Sequence, residues 1–187
     1  MADKKFAVVR ELLYWSYANL AMAHSAVSKG QEKYVMVHYM VRAKLFKGLV
    51  SGTMNVGTLF DDEKVKLVSG QMCSYCASTD KLALDHIFPQ KHGGKDSGDN
   101  LIYACRTCNS SKGKKDLMEW LGSKGLFPPL MVLRRYLKLV ITYCETNGLM
   151  DLPIEQVAAM ELPFNLNHVP VKYPKPSTLT LVAGSCT

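Results

Sequence analysis

Four cysteines stand in two identical pairs, Cys73-x-x-Cys76 and Cys105-x-x-Cys108, with 28 residues between the pairs. Two such knuckles supply four thiolates, the number and type of ligand that close a tetrahedron around Zn2+. A closed tetrahedron has no open position for water or substrate. The ion is therefore expected to be structural, stapling a segment too short to bury a core of its own. The competing chemistry for the same residues is a disulfide or a dithiol redox pair. The opening stretch MADKKFAVVRELLYW lacks a clean apolar signal region with a small-residue cleavage site, which favours metal over disulfides. Cys144 and Cys186 are isolated.

Between the knuckles lies Leu84-Asp85-His86-Ile87-Phe88-Pro89. Hydrolysis of a phosphodiester needs a base for water and a cation for the charge building on phosphate. A neutral imidazole such as His86 suits the first task near pH 7. A carboxylate such as Asp85 can hold a hard cation, Mg2+ or Mn2+, that keeps several waters. Adjacent residues of a regular strand face opposite sides, so the two share a site only where the pleat breaks, and Pro89 makes a strand end plausible. Asn109 directly follows Cys108 and is the second candidate ligand, because the zinc site fixes the helix start and with it this amide. Its ordinary alternative is a helix N-cap. Asn100 is suited to hydrogen-bond across the loop and hold His86 in register, or is a simple turn residue after Asp99.

Taken together, Cys73-x-x-Cys76, Asp85-His86-Ile87-x-Pro89, Gly93-Gly94, Asn100-Leu101, Cys105-x-x-Cys108-Asn109 and Lys112 closely resemble the HNH (ββα-metal) endonucleases. The resemblance spans about a quarter of the chain. It implies His86 as general base, Asp85 and Asn109 as ligands of one catalytic divalent ion, and Asn100 as the residue orienting the histidine loop. It also implies a helix laid against the minor groove, with Arg106, Lys112, Lys114 and Lys115 placed to touch phosphates; an ordinary solvated helix face is the competing reading for each. Many members carry a histidine a few residues after Asn109. Here Ser110-Ser111-Lys112-Gly113-Lys114 stands instead, which leaves the third ligand to water and substrate.

These residues must be positioned by neighbouring elements. Two strands are expected at Leu82–Leu84 and Leu101–Ala104, joined by the polar, Gly-rich stretch His92–Asp99. One helix is then expected from about Asn109 to Leu121, stopped by Gly122. Upstream, a helix over Phe6–Ser28 and another over Gln31–Lys47 suggest a hairpin with Tyr14, Trp15, Tyr34, Tyr39 and Phe46 as its core aromatics. Gly48 to Gly57 reads as a loop. Downstream, Pro128-Pro129 opens a helix whose buried stripe is Leu130, Leu133, Leu137, Ile141 and Cys144, ended by Asn147-Gly148. Arg134, Arg135 and Lys138 on that helix read as solvated. Beyond Met150 lie five of the eight prolines, and an extended surface wrap is expected there. The fold class is thus α+β and mostly helical: a small zinc-stapled ββα motif at 71–122, flanked by a helical region at 1–70 and by a helix and tail at 123–187.

Charge and composition bound the partners. Apolar residues make up 48% of the chain and charged residues 21%, ordinary for a soluble domain, and no long run of apolar residues lacks a charge. A cytoplasmic protein without membrane contact is the expectation. The net charge of +7 is concentrated in the first 115 residues; residues 116–187 carry six basic and six acidic side chains. A mildly basic surface attracts polyanions. DNA is the expected substrate. An RNase with the same residues and a non-catalytic zinc module binding nucleic acid or protein are the competing functions. Two symmetric active sites would cut both strands most simply, so a homodimer through the N-terminal helices is a reasonable expectation, with any regulation left to a protein partner.

Overall fold

The computed structural model describes residues 5–59 and 71–184; Cys186 lies outside them. Among the described residues there are six α-helices and one two-stranded antiparallel sheet. The helices are α1 (Val9–Val27), α2 (Met36–Val50), α3 (Arg106–Lys112), α4 (Leu117–Gly122), α5 (Leu130–Thr146) and α6 (Ile154–Ala158). The strands are β1 (Leu82–His86) and β2 (Leu101–Cys105). The architecture is α+β and mostly helical, with the ββα unit β1–β2–α3 set among helices, as the sequence led us to expect.

The stripe on α5 explains how the unit is held. Leu130, Leu133, Leu137, Ile141 and Cys144 are fully buried, and each large apolar side chain so removed from water favours folding by roughly 1.5–3 kcal/mol. They join one cluster with Leu13, Tyr17 and Leu20 of α1, Ile87, Phe88 and Ile102 of the ββα unit, and Leu117, Trp120 and Leu121 of α4. The tail seals it. Val171 O accepts from Trp15 Nε1 and Asn19 Nδ2, while Leu130 N and Met131 N donate to Thr180 O and Leu181 O at the start of α5.

Several expectations change. The stretch 109–121 is two helices, not one. Gly113 adopts φ 55°, breaking the chain, and Asp116 then caps α4 by accepting from Met118 N and Glu119 N. The second N-terminal helix starts at Met36, where His38 Nδ1 accepts from Val35 N, and runs on to Val50, so the loop begins later than Gly48. Tyr39 is 40% exposed rather than core. The tail is not wholly extended, since α6 forms within it.

Arg135 and Lys138 are buried, at 3% and 1% exposure, rather than solvated. Lys138 Nζ donates to Thr58 O at 2.6 Å. Arg135 Nε donates to Asp99 O at 2.7 Å, and its Nη2 to Gly98 O. The guanidinium thereby ties α5 to the turn Gly98–Asn100 that leads into β2. Arg135→Met keeps the stem and removes these charged donors, so it is expected to cost about 2 kcal/mol. A thermal melt should show this as a fall of roughly 4–8 °C.

Candidate functional site: a ββα unit on a four-cysteine cluster

β1 and β2 pair with Asp85 opposite Ile102 and His86 opposite Leu101, so both candidate residues lie within the strand at its end. The pleat does not break there, as a shared site was expected to require, and it sends the two side chains to different partners. Asp85 turns inward and is 4% exposed. Its Oδ2 accepts from Tyr75 Oη at 2.6 Å, and Lys112 Nζ stands 3.2 Å from its Oδ1. Lys112 also donates to His86 O at 2.6 Å. Lys112 was expected on a solvated face near phosphates; it is 1% exposed and sits beneath the strand end. Desolvation lowers its pKa, while the Asp85 charge and hydrogen bond raise it.

Tyr75 belongs to the first cysteine knuckle. Its ring packs edge-on against Trp120 of α4 at 4.9 Å. Burial first, then the Asp85 charge, pushes its pKa well above the usual phenol value, so it stays a donor to Asp85. Trp120 is itself tied to α3 through Nε1 and Ser111 Oγ, 3.1 Å apart.

His86 faces the other way, with a side chain 24% exposed, and its Nε2 lies 3.0 Å from Asp96 Oδ1. Asp96 was not singled out from the sequence, because an aspartate in a Gly-rich loop reads as turn chemistry. The loop that delivers it is fixed by Asn100. That amide is 2% exposed; its Oδ1 accepts from Phe88 N at 2.7 Å, and its Nδ2 donates to Phe88 O and Lys95 O, both at 2.9 Å. Asn100 therefore clamps the backbone just after His86 to the residue before Asp96. Gly93 and Gly94 serve the same loop: Gly93 has φ 90°, and a Cβ on Gly94 would collide with Phe88 O. Asn100→Asp keeps the shape but aims a carboxylate at two carbonyls inside the protein. We expect a loss of about 3 kcal/mol, read as a melting point lower by roughly 6–12 °C.

Asn109 lies in the first turn of α3, whose cap is Cys105: its Sγ accepts from Cys108 N at 3.4 Å. Asn109 is thus not the cap. Its Nδ2 faces Leu84 O at 3.5 Å, a long contact beside Asp85. Arg106, Lys114 and Lys115 are exposed. The two lysines, with His92, Asn165 and Asn167, line a groove of about 510 Å³ between the start of α4 and the tail.

The four cysteines do meet. Their sulfurs lie within 4.8 Å of one another, with Cys76 Sγ and Cys105 Sγ 3.7 Å apart. A tetrahedron with 2.3 Å metal–sulfur bonds has edges of about 3.8 Å, so the group is compatible with a structural metal such as zinc. Burial raises the Cys73 and Cys108 thiol pKa values, while the Cys108 backbone N–H lowers that of Cys105. Among the described residues no helix is long and apolar enough to cross a membrane.

Comparison with known proteins gives one match: residues 73–115 fit the family model described as HNH endonuclease. Neither the curated proteins nor the solved structures gave a match. The matched interval begins at the first knuckle and ends past α3, taking in Asp85, His86, Asn100 and Asn109. Residues 73–115 of this chain accordingly match the HNH endonuclease family, and they form a ββα unit assembled on a four-cysteine cluster compatible with a structural metal.

Proposed function

We propose that the protein is a metal-dependent endonuclease hydrolysing DNA, with His86 as the base that activates water. The observation that carries this is the partly exposed His86 imidazole at the end of β1, held on one nitrogen by Asp96 and next in sequence to the fixed Asp85 carboxylate. If Nε2 carries the proton donated to Asp96, Nδ1 keeps the lone pair that takes a proton from water. Asp96 then faces the imidazolium as it forms and stabilises its charge.

The donor set fits a hard cation. Tyr75 and Lys112 each use one lone pair of an Asp85 oxygen, leaving others open, and Asn109 offers an amide oxygen. Asp85 and Asn109 would hold Mg2+ or Mn2+, which when bound neutralises charge developing on the phosphate. Tyr75 and Lys112 keep the Asp85 carboxylate oriented. Arg106, Lys114 and Lys115, exposed around the unit, meet neighbouring phosphates. The four cysteines hold a structural Zn2+.

RNA is the second reading. An RNA site would use exposed aromatic surface, and Tyr39 offers an exposed ring with Arg42 stacked 5.1 Å from its centroid. The test incubates zinc-loaded full-length protein with supercoiled plasmid and, separately, with RNA, in Mg2+, in Mn2+ and in EDTA, beside His86→Ala. Plasmid nicking that EDTA and the substitution both abolish supports the proposal. Cleavage of RNA alone moves the reading to an RNase. Nucleic-acid binding without cleavage of either leaves the non-catalytic zinc module.

A further inference from the structure

Lys112 is the most deeply buried cation at the site, with none of its side chain exposed, and it sits on the one carboxylate proposed to hold the divalent ion. The Asp85 side chain is 5% exposed. Its single negative charge is already balanced before any ion arrives. The other carboxylate that Lys112 feels, Asp116, spends its oxygens on Met118 N, Glu119 N and Tyr136 Oη. A dication approaching Asp85 therefore meets a neutralised ligand and a fixed ammonium in a site poorly screened by water. Lys112 cannot swing away freely, because its second hydrogen bond holds His86 O.

We propose that Lys112 makes ion binding at Asp85 depend on the substrate: the divalent ion is held weakly by the protein alone and firmly once a nucleic-acid phosphate supplies a second negative charge. This rests on the nuclease reading above. Mg2+ and Mn2+ take few protein ligands and readily accept phosphate oxygens, so a phosphodiester completes both the ligand set and the charge balance. The thermodynamic consequence is reciprocal: the ion tightens nucleic-acid binding by the same factor. Free protein would then carry no armed site, and loading would coincide with substrate.

The test measures Mn2+ binding by electron paramagnetic resonance on zinc-loaded full-length protein carrying His86→Ala, with and without a short DNA duplex, so that no turnover occurs. Mn2+ should bind about tenfold or more tightly with DNA than without. Adding Lys112→Met should raise DNA-free Mn2+ affinity by a similar factor, roughly tenfold, and remove most of the DNA dependence. Lys112→Arg, which keeps the charge, should retain that dependence. Zinc content and melting curves check folding, and Lys112→Gln replaces the methionine variant if it does not fold. Tight DNA-free binding before any change at Lys112, or unchanged DNA dependence in the neutral variants, overturns the proposal. If the wild type still nicks plasmid in that case, only the role of Lys112 is lost. Absence of both Mn2+ binding and plasmid cleavage removes the nuclease reading and this inference with it.

Discussion

His86→Ala is expected to slow single-turnover plasmid nicking by about 10²- to 10⁴-fold, the range that a positioned general base contributes. Binding and stability should barely change. The imidazole is a quarter exposed and lies outside the buried cluster, so its removal opens no cavity. The backbone around it is fixed by groups the substitution leaves alone: Lys112 on His86 O, Asn100 on Phe88, and Ile87 N on Asn100 O. An intact scaffold with a lost base predicts a fall in rate at saturating enzyme, with the midpoint of DNA binding held. Gel-based nicking with enzyme in excess separates the two quantities. A variant that nicks at the wild-type rate would show that another group takes the proton.

How much of this site could be read in the sequence depends on whether a residue's partner lay close by in the pattern. The cysteine pairs were legible because their spacing alone encodes a ligand set, and the structure brings all four sulfurs together. The Asn100 bond across the histidine loop was legible because a loop returning to a second strand needs such a clamp, and it makes three bonds there. Lys112 was misplaced for a physical reason. On a helix face a lysine is normally solvated, and only a buried carboxylate on a strand twenty-seven residues earlier draws it inward. Arg135 was read as solvated for the same reason, since its acceptors are two loop carbonyls thirty-six and thirty-seven residues away. Tyr75 gave no signal at all. Inside a knuckle it reads as filler, yet it links the cysteine cluster to Asp85. The fold class was readable from periodicity; the break at Gly113 was not, because helix formers stand on both sides of it.

Removing the proposed structural zinc, by prolonged treatment with a strong chelator or by Cys108→Ser, is expected to abolish nicking and unfold the ββα unit while the surrounding helices survive. Structural zinc in small motifs contributes about 10–16 kcal/mol of apparent binding energy, comparable to the whole stability of a domain. Here part of the unit is also held by Ile87, Phe88 and Ile102 in the main cluster, and by Arg135 from α5. The loss should therefore be local. The first knuckle carries Tyr75, one of the two grips on Asp85; the second caps α3, which carries Asn109 and Lys112, the other grip. Both grips loosen together once the sulfurs part. Without an ion, burial favours protonated Cys73 and Cys108 thiols, so binding must displace protons and the staple weakens as pH falls. Hydrogen exchange should show the amides of β1 and β2 losing protection while those of α1 and α5 keep theirs. Re-adding Zn2+, but not Mg2+, should restore both protection and nicking. Protected strand amides in a protein proven free of metal would instead mean that the hydrophobic contacts suffice to hold the unit.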